Sequence, residues 1–442
     1  MLDQVVRALR AQDGVDDWLV RHVCKRSTQH YVIGAVPESR RSVTSEQAVV
    51  TVMNDHPGAE ASHGPQRGEA QVTILPTDVG QLTAKLKQAV FMAELTDNPP
   101  YTPAPPADYP EVQLAEAEMQ SAPRRVAERL VDQLTEALAR ERDVRLSSAE
   151  VFVEERDIAI ENSRGASGRQ LCTDLLLDFV LLASNGDNEM ESHIAVKRRR
   201  SAGLDIAEMA RQQAQYARDA LEAGTPRTGV FPVLVSDEAL VELLLSEGDS
   251  PLVLLSSAEL KYQQLTRWEL GQPALLEEPT GDPLTMYSNA LAPFGTRSGC
   301  FDADGLPGQR TLIIDNGILK RFWASNRYAQ YLQIDASGSF GTMELATGSM
   351  PFAALQDDHE LLYHIVAFSA MSPDPITGDF VGEIRLGYEL ENGQRRPIRG
   401  GSVSGNLLAV LAAASLSQES AFHGDYLGPK AMRFPQITVA GA

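Results

Sequence analysis

Cysteine is nearly absent. Cys24, Cys172 and Cys300 are the only three in 442 residues, far apart and without a CxxC pair. That spacing excludes a disulfide framework and a thiolate zinc site. Long apolar runs are missing as well. Stretches such as LLLDFVLLA at 175–183 fall far short of the ~20 residues that span a bilayer, so no membrane segment is expected. Positive charge is scarce: 39 Lys and Arg face 60 Asp and Glu, a formal net charge of -21. Such a chain repels phosphate backbones, which argues against nucleic acid as a partner. The run Lys197-Arg198-Arg199-Arg200 goes against that trend. Lying between a strand-like stretch and a helix, it reads as a solvated element end or a subunit contact rather than a ligand site. The first twenty residues read as an amphipathic helix broken by acidic residues, without the basic start and apolar block of a signal peptide, so a cytoplasmic location is expected.

What is present is core material. With 43% hydrophobic and 22% charged residues over 442 positions, the chain has the composition of a soluble globular protein and is too long for one ordinary core. Residues 79–96 carry apolar side chains at helical spacing and run into a Pro-rich connector at about 97–112 that cannot continue a helix. The polar stretch 53–70 reads as a mobile loop with His56 and His63 solvated in it. A strong amphipathic helix is predicted over 124–143. Beyond it, 149–200 alternates apolar and polar positions between tight turns, the pattern of an antiparallel meander. A further helix over 203–224 is expected to end on Gly224 as its C-cap.

The character changes near 225, giving the expected division: an N-terminal α/β domain over 1–224, with antiparallel hairpins and long helices, and a C-terminal, mainly antiparallel β domain over 225–442. The class is α+β. Asn316-Gly317 and Asn392-Gly393 mark two hairpins, because both residues of each pair tolerate the positive φ of a type I′ turn. Helices are predicted over 351–369 and within SGNLLAVLAAASL.

Phosphate-binding loops and nucleophile elbows are missing. FDADGLPG at 301–308 has the alternating aspartates of a calcium loop, but position 12 counted from Asp302 is Ile313, where a bidentate glutamate is needed. It reads as a turn. His22, His30 and His193 stand singly, and His423 sits in a loop.

One motif remains, His359-Glu360-Leu361-Leu362-Tyr363-His364. Zinc peptidases commonly place two histidines four apart on a helix, roughly 40° apart around its axis. Here the spacing is five, about 140° on a regular helix. On that helix Leu362, Ile365 and Val366 form a buried stripe and the histidines flank it on opposite margins. The alternative keeps His359 and His364 as zinc ligands, Glu360 as general base and His423 as a third ligand.

The ordered series IENSRG, ALEAGTP, FPVLVS, FDADGLPGQRTLIIDNGILKRFW, PITGDFVGEIRLGYELENGQRRPIRGGSVSGNLL and FPQITVAG resembles the TldD/PmbA family, also called the modulator of DNA gyrase family. The resemblance covers roughly 150–442. It implies an N-terminal α/β domain, a C-terminal antiparallel β domain and a dimer around an internal cavity. It further implies two subunit types: a TldD-type chain that carries zinc and cuts peptides, and a TldE (PmbA)-type partner without the metal site. The family's metal motif lies shortly after the strand matching FPVLVS. In this chain that stretch is SDEALVELLLSEGDSP, near 236–251, with no histidine, and no cysteine follows Cys300. The resemblance therefore implies a TldE/PmbA-like subunit with no catalytic residue, metal ligand or cofactor of its own. Zinc is expected in a TldD-type catalytic partner, and a peptide or unfolded protein as substrate. The other readings are a self-sufficient zinc peptidase built on HELLYH and a homodimeric peptide-binding protein.

Overall fold

Alternation of apolar and polar side chains builds the N-terminal sheet, and a change of phase along its strands gives it two covered faces. The structure is a computed structural model that describes the chain except residues 35, 58–63, 187, 247–249, 358–360 and 442. Six antiparallel strands lie in the order β3-β2-β1-β4-β5-β6: β1 (Asp17–Ile33), β2 (Val36–His56), β3 (Gln66–Ile74), β4 (Val144–Asn162), β5 (Ser167–Ser184) and β6 (Glu189–Arg198). Val151 and Val153 of β4 and Leu175, Leu177, Phe179 and Leu181 of β5 point to one face. There they pack under α4 (Pro123–Leu138) and α5 (Ile206–Glu222). Further along that face, α1 (Leu2–Arg10) and α2 (Leu82–Ala93) bury Trp18, Val20, Val50 and Val52, while the short α3 (Ala117–Ser121) precedes α4.

Ile158, Ile160 and Cys172 have the opposite parity and point to the other face, where Leu114, Tyr109 and Phe301 cover them. The Pro-rich connector is the cover. Asn162 Nδ2 donates to Ala104 O at 2.9 Å and Tyr109 OH to Gly305 O at 3.0 Å, so the strap binds both the sheet and the C-terminal half.

The C-terminal half contains β7 (Gly229–Ser236), α6 (Asp237–Leu245), α7 (Pro251–Leu255) and α8 (Ala258–Tyr262), then β8 (Met286–Asn289), β9 (Arg310–Asp315), β10 (Ile318–Leu319), α9 (Asn326–Leu332), β11 (Thr342–Leu345) and α10 (Phe352–Leu355). It continues with β12 (Leu362–Pro373), β13 (Asp379–Glu391), β14 (Gln394–Ile398), β15 (Ser402–Asn406), α11 (Leu407–Val410), β16 (Ser415–Leu416), β17 (Ser420–Phe422), β18 (Tyr426–Pro429) and β19 (Ala431–Ala440). Strands β12, β7, β19, β15 and β13 pair in turn, and β13 pairs back with β12, closing a barrel. Inside it Val233, Val235, Phe380, Val403, Phe434 and Ile437 form an apolar core; each buried side chain of this size contributes about 2 kcal/mol. A second sheet runs β10-β9-β8-β11-β18-β17. Pairing is mainly antiparallel, the exceptions being β12–β7 and β11–β18.

Both Asn-Gly turns have left-handed backbones, φ 50° and 77° at Asn316-Gly317 and 52° and 77° at Asn392-Gly393, as type I′ geometry requires. Other expectations need correction. The predicted helix over 351–369 is a single turn, α10, followed by strand β12. Gly224 is no left-handed cap: α5 ends at Glu222, Ala223 is extended, and Gly224 bridges to Ile398. Within the stretch 53–70, residues 53–56 and 66–70 are the ends of paired strands β2 and β3 while 58–63 lie outside the described residues, and His56, its side chain 18% exposed, stands 3.2 Å from Thr96 O instead of in solvent. His63 lies outside the described residues. The first helix stops at Arg10 and the chain has become strand by Asp17. Among the described residues no helix is long and apolar enough to cross a membrane.

Candidate functional site

Two places claim attention: the HELLYH motif, and the start of α6, where the family resemblance sets a metal. His359 and Glu360 lie outside the described residues. His364 sits on β12 between Tyr363 and Ile365, which turn into the barrel core, while Leu362 and Val366 pack outward against Leu355 and Tyr388. Because β12 is a strand, helical spacing does not describe the motif. The His364 ring is 7% exposed, near Phe352 and Tyr388, with Nε2 2.9 Å from Ser236 Oγ. Burial, aided by the charges of Arg395 and Lys430, pushes its pKa down to about 3, so the imidazole is neutral.

The start of α6 is charged. Lys430 O accepts from the Asp237 N–H at 3.0 Å, and Asp237 takes a left-handed φ of 52°, which aspartate tolerates better than most residues. Burial raises the Asp237 carboxyl despite Lys430 and His423. One residue on, Glu238 Oε1 lies 2.9 Å from His423 Nδ1 and 3.5 Å from Arg198 Nη2, and Arg198 Nη2 is 3.1 Å from the same His423 nitrogen. Burial raises the Glu238 pKa, but His423 and Arg198 outweigh it and hold the carboxyl below its ordinary value. The Glu238 oxygen accepts from His423 in the tautomer that carries a hydrogen on Nδ1. One turn later, Glu242 is pushed up to about 7 by its crowded surroundings and then by Glu238, with Arg385 opposing.

The basic run reads differently in three dimensions than in sequence. Arg198 and Arg199 are neither solvated nor on a free surface, with side chains 13% and 4% exposed. Arg199 donates to Ser298 O at 2.7 Å and Thr296 O at 2.8 Å, and the Arg200 guanidinium lies over the Phe294 ring. The turn between β17 and β18 is pressed against the end of β6: a Cβ on Gly424, whose φ is 73°, would stand 2.7 Å from Lys197 O. These residues fasten the sheet to the C-terminal half.

Other singled-out histidines have local partners: His22 with Glu46 at 2.8 Å and His193 with Asp178 at 3.1 Å, while His30 is buried. Asp302 Oδ1 accepts from the backbone N–H groups of Asp304 and Leu306, the bonding of a turn. Among the described residues no group of three or more His, Cys, Asp or Glu side chains could hold a metal ion. The donors at the start of α6 do not fit zinc: they include no histidine on the helix, and Glu238 already faces a fixed guanidinium whose charge opposes a second cation.

Sequence reasoning missed Arg198 and Glu238. One signal was available: Asp237-Glu238-Ala239-Leu240-Val241-Glu242 has acidic residues at i, i+1 and i+5, the spacing of His359, Glu360 and His364. The Arg198 and His423 contacts had no local signal, being 40 and 185 residues away from Glu238.

Residues 228–441 match the family model described as the PmbA/TldA metallopeptidase C-terminal domain. An uncharacterized protein of Methanocaldococcus jannaschii is 24% identical over 165 residues, 35% of this chain and 39% of that protein. A zinc metalloprotease TldD homolog of Saccharolobus solfataricus is 23% identical over 269 residues, 54% of this chain and 56% of that one. The chain thus spans about half or less of these curated relatives. The crystal structure of TldE from Thermococcus kodakarensis shares the fold, with TM-score 0.83, 16% identity and full coverage of both chains. Residues 228–441 thus place the C-terminal half in the TldD/PmbA family, a metallopeptidase-related group, and the whole chain has the α+β fold of TldE.

Proposed function

We propose that this TldD/PmbA-family chain is a non-catalytic, TldE/PmbA-like subunit of a TldD/TldE-type zinc metallopeptidase. It shapes the chamber and helps hold peptide substrates in the cytoplasm, while a TldD-type partner supplies the zinc. The observation that carries this reading is the start of α6, where Glu238 is held by Arg198 and His423 and no histidine occurs between Asp237 and Leu245. The position of β6 at the margin of the first sheet supports peptide holding by strand addition.

The zinc peptidase built on HELLYH is disfavoured by His364, whose Nε2 is bonded to Ser236 within the barrel wall. Peptide cleavage by the isolated chain, by a TldD-type partner and by their mixture tests the proposal. Cleavage should require the partner and rise when this chain is added. Zinc-dependent cleavage by the chain alone would overturn it, and peptide binding by a homodimer that never engages the partner would replace it.

A further inference from the structure

A carboxylate at the first turn of a helix and partly withdrawn from water, as Glu238 is with its side chain 33% exposed, is stabilised by a cation or strong donors nearby. At Glu238 both come from outside the helix: Arg198 from the end of β6 and His423 from the turn between β17 and β18. Arg198 is not on a loose loop. Its neighbour Arg199 is anchored on the carbonyl oxygens of Thr296 and Ser298, and Gly424 lets the β17–β18 turn approach the Lys197 backbone. The position of the guanidinium is therefore set by how the sheet meets the C-terminal half.

We infer that Arg198 is a built-in cation at the start of α6, balancing the charge of Glu238 from the end of β6. The Arg198–Glu238–His423 cluster is thereby a metal-independent lock between the six-stranded sheet and the barrel. A divalent ion binding Glu238 would have to displace Arg198 or share the carboxylate with it, and like charges a few ångströms apart repel. The lock does not rest on the chain's part in peptide cleavage, so its readouts are metal content and stability.

The experiment uses the full chain, purified without added metal. Zinc should be below about a tenth of an equivalent, where a closed structural site would hold one, and the melting temperature should not move with chelator. Arg198→Met should lower it by about 3 °C or more and Glu238→Gln by less; the double variant should lose less than the sum, because removing the carboxylate relieves the unpaired charge. If Arg198→Met fails to fold, the same cycle with Arg198→Lys, which keeps the charge on a shorter stem, gives the comparison. Near-stoichiometric zinc whose removal destabilises the wild-type chain would overturn the inference, as would strictly additive losses.

Discussion

His364 and His423 both stand beside the barrel, at the two places where a metal is first sought. They have opposite surroundings. His364 lies in the barrel wall with a hydroxyl partner and aromatic neighbours, and burial keeps it neutral. His423 lies at the junction of the two halves, facing a carboxylate and a guanidinium. The difference shows why a motif is a weak guide to a site. His-Glu-x-x-x-His names residue types, and whether those types meet depends on the backbone that carries them. A pattern with no histidine, Asp237-Glu238-Ala239-Leu240-Val241-Glu242, carries the denser cluster of charge.

This contrast can be broken experimentally. His364→Ala opens space in the wall and orphans the Ser236 hydroxyl, so it should destabilise the chain by about 2–4 kcal/mol in denaturant titrations. Its metal content should not change; a chain that holds zinc and loses it on this substitution would erase the distinction between the two histidines. The pH dependence of stability gives a second test. With His364 near 3 when folded and 6.5 when unfolded, the unfolded chain takes up a proton below about pH 6.5 that the folded chain refuses. This contribution is fully present above pH 7 and shrinks as pH falls, by about 2 kcal/mol at pH 5. His364→Gln should flatten that part of the curve.

At the junction the effects are smaller. His423→Ala leaves Arg198 on Glu238 and should cost about 1 kcal/mol, read from the shift of the urea midpoint. The smallest effect concerns Glu242, which reaches solvent. Its folded pKa of about 7 lies above the unfolded 4.5, so ionisation weakens folding progressively as pH rises between those values. Glu242→Gln should therefore raise the melting temperature slightly at pH 8 and leave it nearly unchanged at pH 4. A larger gain at acid pH would show that the carboxyl is not held in its protonated form by its surroundings.

Much of the fold was legible because its causes are local. The Asn-Gly turns follow from the positive φ those residues accept, and β4 and β5 follow from runs of alternation on either side of a change of phase. The segment Leu362–Val366 was misread for a physical reason: it is buried on both faces, between the barrel core and the layer of Leu355 and Tyr388, so its apolar residues run on without a period of two. The end of α5 was misplaced because a glycine near a helix terminus is a frequent cap, whereas here Gly224 pairs with Ile398.

By itself, the sequence determined the α+β class, the hairpins, the long helices and the lack of histidine near 236–251. Only the tertiary structure decided that Arg198 and Arg199 of the basic run are internal fasteners, that the HELLYH histidine at 364 belongs to a strand, and that Glu238, Arg198 and His423 meet. The reason is distance along the chain. Turn and helix preferences act over a few residues, while the charge balance at Glu238 depends on side chains 40 and 185 positions away, brought within hydrogen-bonding or ion-pair reach by the packing of the sheet against the barrel.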